Sequence, residues 1–195
     1  MPDRMRAPGR PRDRAIDDAV LDVALRHLAR DGLSGLSLAA VAAEAGTTRP
    51  ALYRRWPDKV SLAVGAVARL AAVEAPEVIG EPFTDLVTEL EHFRHCITAA
   101  GALPLVGLML TDGVEPAVRQ VYAEQIVAPR RARIRACLLA ARDSGLIDAD
   151  ADLDIAGSLL TGSWYAIALV GRRAPADWAH RTASLVWRAC GGTPG

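Results

Sequence analysis

Aromatic residues make up only 5% of this 195-residue chain, and cysteine occurs just three times, at Cys96, Cys137 and Cys190. The cysteines are widely spaced, odd in number and form no Cys-x-x-Cys pair, which excludes a disulfide framework and a zinc ribbon and fits a reducing cytoplasm. No stretch reaches the roughly 18 apolar residues of a membrane span, and residues 1–14 lack the apolar core of a signal peptide. The chain is therefore expected to be cytoplasmic, with no membrane partner. Nucleophile elbow, phosphate loop and dinucleotide fingerprint are all missing, so neither an enzyme nor a bound cofactor is expected. Formal net charge is zero, with 51% hydrophobic and 24% charged residues, which excludes a disordered acidic or basic tail. What is abundant is alanine: 37 residues, favouring closely packed helices and an all-α protein.

The charge is unevenly spread. Residues 1–60 hold 11 basic and 8 acidic side chains, against 12 and 15 in the remainder. Arg4, Arg6, Arg10, Arg12 and Arg14 precede the first helix, and Arg49, Arg54, Arg55 and Lys59 form a second cluster; a charge run alone reads equally as a solvated face.

Helical periodicity organises the rest. Ile16, Ala19, Val20, Val23, Ala24 and Leu28 share one face of a helix over 14–31, which Gly32 stops in a left-handed conformation. Ser37 caps a second helix that ends at Gly46, with Leu36 stapled onto Val41. Thr48 caps a third that accepts Pro50 in its first turn and stops before Pro57. Two short helices about a turn at Gly46, with small Ala42 at their crossing, form a helix-turn-helix pattern. Asp58 caps a connector helix to about residue 72, and Phe83, Leu86, Val87, Leu90, Phe93 and Ile97 mark another amphipathic helix. A short apolar helix covers 104–111, and a long one over 116–144 should kink at Pro129, with Arg130, Arg131, Arg133 and Arg135 on a solvated face. The segment 153–170 is apolar nearly all round, and 176–189 carries Trp178, Thr182, Leu185, Val186 and Ala189 on one face. Two such helices suggest a symmetric helix-bundle dimer through Leu159, Ile167, Trp178, Leu185 and Val186, or alternatively the core of a monomer.

GRPR at 9–12, followed by AIDDAVLDVALRHLARDGLSGLSLAAVAAEAGTTRPALYRRWPDKVSL at 15–62, resembles the N-terminal domain of TetR-type transcriptional regulators. The likeness covers about the first 65 residues and includes the turn at Ala45 and Gly46, the Leu52-Tyr53 pair, Trp56 and Lys59. A later stretch, EQIVAPRRARIRACLLAARDSGLIDADADLDIAGSLLTGSWY, is similar to one C-terminal variant of that family through looser motifs. Trp56 stands where phenylalanine is more usual, and Pro50 where glycine often stands. The resemblance implies an all-α homodimer that binds a palindromic DNA operator, usually as a repressor released by a small ligand. The expected organisation is a basic flexible arm over 1–13, a helix-turn-helix domain over 14–60, and a helical-bundle ligand-binding and dimerisation domain over 61–191.

The residue types suit this role. Thr47, Thr48, Arg49, Pro50 and Ala51 form the half of the third helix that reaches base edges in a helix-turn-helix. Arg49 can read guanine through two hydrogen bonds, the Ala51 methyl can touch a thymine methyl, and Pro50 offers shape and apolar contact. Ser37, Tyr53, Arg54 and Lys59 are candidates for phosphates, with Tyr53 alternatively a core aromatic and Trp56 read as core. Arg10 and Arg12, in the arm Arg4 to Arg14, can enter the adjacent minor groove.

Asp148, Asp150, Asp152 and Asp154 alternate like half a calcium loop, but Leu153 and Leu159 occupy the positions that demand glycine and glutamate, so Asp152 reads as a helix cap. Glu89, His92 and Cys96 share a helix flank near His95, yet no second ligand cluster accompanies them and no metal is expected. Phe93, Ile97, Met109, Leu110, Tyr122, Gln125 and Trp164 are the candidate lining of a site for an apolar or aromatic effector, each also readable as core. Two other functions stay open: an effector-independent DNA-binding protein, and an all-α small-molecule carrier or enzyme.

Overall fold

The computed structural model describes residues 11–99, 103–111 and 113–194, and the described residues hold helices without a strand. In chain order the helices are α1 (Pro11–Gly35), α2 (Leu38–Glu44), α3 (Arg49–Tyr53), α4 (Lys59–Arg69), α5 (Pro82–Ala99), α6 (Leu103–Met109), α7 (Pro116–Tyr122), α8 (Ala128–Asp143), α9 (Leu153–Leu169) and α10 (Trp178–Ala189). A 3-10 turn, Leu70–Ala72, extends α4, and a π-helical stretch, Ala123–Val127, joins α7 to α8. None of these helices is long and apolar enough to cross a membrane.

The chain separates into two compact units, Met1–Ala72 with Gly101–Tyr122, and Val73–Ala100 with Ala123–Gly195. The first unit thus extends past residue 60 and takes in α6 and α7. Its core joins Val20, Val23, Ala24 and Leu28 of α1 to Leu62, Ala63, Ala66 and Val67 of α4, and α6 and α7 add Leu105, Met109, Val118 and Tyr122. Each large aliphatic side chain buried this way is worth about 1.5–3 kcal/mol. Gly32 adopts φ 66°, the stop read from the sequence, and a short turn to Gly35 follows it. α1 begins at Pro11, three residues before the expected start. Gly65 has a separate purpose: a Cβ there would lie 2.9 Å from Trp56 Nε1 and 3.2 Å from Leu21 Cδ2, so the absent side chain lets the Trp56 ring sit on α4.

Ion pairs tie these elements together. Arg69 of α4 donates to Asp22 at 2.6 Å and to Asp18 at 2.7 Å, both on α1. Glu44, closing α2, accepts from Arg26 at 2.8 Å and lies 2.8 Å from Nε2 of the buried His27. Those two hydrogen bonds hold the Glu44 carboxyl below its ordinary value of 4.5.

The second unit packs α5, α8, α9 and α10 around Phe93, which no solvent reaches. Trp164 and Tyr165 present their edges to the Phe93 ring at 6.0 and 5.6 Å, and Trp178 lies tilted at 6.0 Å. The sequence predicts one long helix kinked at Pro129; the structure instead widens the turn before it into the π-helical stretch. Proline has no N–H to donate and its ring crowds the carbonyl four residues back, so the wider turn absorbs the mismatch and Pro129 sits in the first turn of a new helix. Asp152 caps α9, accepting from the Asp154 and Ile155 amides, as its sequence position suggests.

Gly65→Ala gains helix propensity but collides with a rigid indole, and a net loss of about 1–2 kcal/mol is expected in urea unfolding, with Gly65→Val losing more. Because the folded Glu44 value lies below 4.5, its contribution to stability is complete above that pH and is lost as pH falls through the folded value. Glu44→Gln should therefore lower stability at neutral pH and flatten the acid limb of a pH titration followed by helix circular dichroism.

Candidate nucleic-acid interface

Three local devices present α3. Ser37, in extended conformation, caps α2 by accepting from the Ala40 amide at 3.4 Å. At the other end of α2, Gly46 turns with φ 68° while its amide donates to Ala43 and the Thr47 amide donates to Ala42, the paired bonds of a Schellman stop. Thr48 then caps α3 by accepting from the Ala51 amide at 3.3 Å, and Leu52 anchors the helix at 1% exposure. Pro50 costs no bond, since the first helical amide to find its carbonyl is that of Leu52, on Thr48.

That anchoring decides what faces out. Ser37, Thr48, Arg49, Pro50, Tyr53, Arg54 and Lys59 are exposed, and Thr47 and Ala51 are half-buried. Tyr53 keeps 49% exposure, so the outward alternative holds for it, whereas Trp56 is half-buried against Leu21 and Gly65. Ser37 and Thr48 spend an oxygen lone pair on their caps and keep the hydroxyl hydrogen available for a phosphate.

The arginines divide by partner. Arg55, the one member of its cluster not assigned to DNA, is half-buried and paired with Asp17 of α1. Arg49, Arg54 and Lys59 form no ion pair with any described residue and stand on the exposed side of the 49–59 segment. Free cations on one edge are what a polyphosphate backbone exchanges for its counterions. Sequence reading missed the Asp17–Arg55 and Arg26–Glu44–His27 contacts that hold this edge in place, since each joins residues 17 or more positions apart and leaves no local pattern. Arg14 is exposed; Arg10 and the side chain of Arg12 lie outside the described residues, as does the arm before them.

The candidate effector residues do not gather in one unit. Phe93, Ile97 and Trp164 are buried in the second unit, and Gln125 is exposed on its π-helical stretch. Met109 and Tyr122 are buried in the first unit, and Leu110 there is 80% exposed. The solvated arginine face expected on α8 needs correction: Arg131 and Arg135 are exposed, but Arg130 and Arg133 are half-buried, Arg133 donating at 2.7 Å to the buried Glu89 of α5. Among the described residues no three His, Cys, Asp or Glu side chains converge as metal ligands; His92 Nε2 and Cys96 Sγ lie 3.5 Å apart. Of the residues expected at a dimer face, Leu159 and Leu185 are exposed and Ile167 is half-buried. Trp178 and Val186 are not available to a partner: 3% and 4% exposed, they close the core of their own unit beside Phe93 and Trp187.

Comparison with known proteins agrees with this geometry. Residues 20–66 match the family of bacterial regulatory proteins of the tetR type, and residues 79–186 match a tetracyclin repressor-like C-terminal domain. An uncharacterized HTH-type transcriptional regulator of Mycobacterium tuberculosis is 31% identical over 175 residues, covering 87% of this chain and 82% of that protein. A DNA-binding transcriptional repressor TetR of Mycobacteroides abscessus is 32% identical over 154 residues, covering 73% and 78%. A TetR transcriptional regulator from Agrobacterium tumefaciens shares the fold with a TM-score of 0.68 at 22% identity, over 89% of this chain and 91% of that one. The flavonoid-responsive regulator FrrA does so with a TM-score of 0.65 at 18% identity, over 91% and 97%.

Proposed function

Since the chain belongs to the TetR family of helix-turn-helix transcriptional regulators, a DNA-binding and non-enzymatic family, we propose that it is a homodimeric repressor of a palindromic operator, released by a small apolar or aromatic effector. The observation that carries this reading is the edge of α3, where Arg49, Arg54 and Lys59 stand without carboxylate partners among the described residues beside two capping hydroxyls. Arg49, at the first position of α3, reads a base; Lys59, opening α4, holds a phosphate. The repressor sense follows the relative from Mycobacteroides abscessus that carries that description.

Dimerisation is supported by the outer face of α9. Ile155, Leu159, Gly162, Ala166 and Leu169 are all exposed and alternate in steps of four and three residues, the spacing of a seam between packed helices. Leu185 on α10 is 71% exposed. Large apolar side chains in such a row are costly to leave in water, and small Gly162 and Ala166 let a second helix come close.

Selection of bound duplexes from a randomised pool should enrich an inverted repeat with half-sites about one helical turn, ~34–36 Å, apart; recovery of unrelated sequences would leave only nonspecific binding. Arg49→Ala should relax preference at one base per half-site by about 1–3 kcal/mol, whereas Lys59→Ala should weaken all sequences alike and reduce the salt slope by about 1. Leu159→Glu combined with Leu185→Glu should give a monomer in light scattering and abolish tight binding of the full repeat, and a dimer surviving both substitutions would place the interface elsewhere.

A further inference from the structure

The seam between α5 and α8 leaves two charged groups unmatched. Glu89 is 3% exposed; its Oε1 accepts from Arg133 Nε at 2.7 Å, while its Oε2 is enclosed with no hydrogen-bond partner among the described residues. Such an oxygen has given up water and received no donor in return. Arg133 engages Glu89 through Nε alone, short of the two parallel bonds that a guanidinium offers a carboxylate. One turn away, the Arg130 guanidinium carbon stands 4.8 Å from the centre of the Phe93 ring. Arg130 is half-buried and pairs with no described carboxylate. A guanidinium held over a ring face, yet lacking an anion among the described residues, is a receptor already in place.

The two deficits are neighbours of opposite sign. Glu89 and Phe93 are four residues apart on α5, and Arg130 and Arg133 three apart on α8, so the open acceptor and the open cation lie about one helical turn apart along the seam. The other buried carboxylate of α5 presents no such opening, because Asp85 accepts from the Ile79 and Gly80 amides, one on each oxygen. His92 and Cys96 flank the seam as uncharged groups, burial holding the imidazole below its ordinary value and the thiol above. The Arg133 side chain is still 30% exposed, so the seam reaches the surface through a flexible group.

We propose that this seam binds a small aromatic carboxylate whose ring carries a hydrogen-bond donor: the acid on Arg130, the ring beside Phe93, and the donor on Glu89 Oε2. The inference names the effector class within the ligand-released reading above and rests on that reading for its regulatory meaning.

Calorimetric titration of the full chain with 4-hydroxybenzoate, benzoate and phenol tests it. 4-Hydroxybenzoate binds most tightly, benzoate is weaker by roughly tenfold, and phenol is weaker again. Arg130→Gln weakens 4-hydroxybenzoate by at least roughly tenfold, Arg130→Lys by less, and Glu89→Gln shrinks the gap between 4-hydroxybenzoate and benzoate. Thermal melts without ligand separate loss of the site from loss of the fold; should Arg130→Gln unfold, the order of the three compounds on the parent protein decides. No binding of 4-hydroxybenzoate at millimolar concentration, equal binding by a folded Arg130→Gln, or a preference for phenol over benzoate overturns the proposal. Operator release is scored separately. Binding that leaves the operator occupied keeps the site and removes the effector reading, whereas release by other compounds without 4-hydroxybenzoate binding does the reverse.

Discussion

A helix of five residues cannot hold itself in water, and α3 has five. Its existence depends on the burial of Leu52, and the presentation of every exposed side chain around it depends on the same contact. The Ser37 and Thr48 caps and the Gly46 turn set where α2 and α3 start and stop, but none of them orients α3 against the rest of its unit. Orientation comes from apolar burial, to which Leu36, Val41 and Ala42 also contribute. With Leu52 inward, Arg49, Pro50 and Tyr53 have only the outside to occupy.

The same unit sorts its charges in a way that a count of arginines hides. Arg55 meets Asp17, Arg69 meets Asp18 and Asp22, and Arg26 meets Glu44, so much of the basic character is spent on joining α1 to its neighbours. Exposed pairs of this kind contribute little stability each. Their larger effect here is by subtraction, because they leave Arg49, Arg54 and Lys59 as the cations of the 49–59 segment without an ion-pair partner among the described residues. The second unit shows the complementary case. There Arg133 is taken up by Glu89 only in part and Arg130 by no described acid, beside a core whose aromatic edges gather around Phe93. A polar defect in so well packed a core is costly unless a partner completes it.

Much of the fold was legible because its signals are local. Gly32, Ser37, Gly46, Thr48, Asp58 and Asp152 mark helix ends through φ values and side-chain bonds that span no more than a few residues. Of the interface residues, Thr48, Arg49, Pro50, Tyr53, Arg54 and Lys59 are exposed because they flank one buried leucine within a single short segment. The candidate effector set was less legible. Apolar residues that look alike on a helical wheel fall into two different units, with Met109 and Tyr122 in one and Phe93 and Trp164 in the other.

By itself, then, the sequence determined where helices begin and end, which short segment turns back on itself, and which family the chain resembles, since these rest on backbone preferences and caps that neighbouring residues decide. Tertiary structure alone decided which cations remain unpaired, which leucines stay exposed, and which face of α8 is covered. Those outcomes depend on partners such as Asp17 for Arg55 and Glu89 for Arg133, tens of residues away in the chain. Pro129 lies between the two: its missing donor is a local fact, but whether the helix kinks or widens is settled by what packs around it.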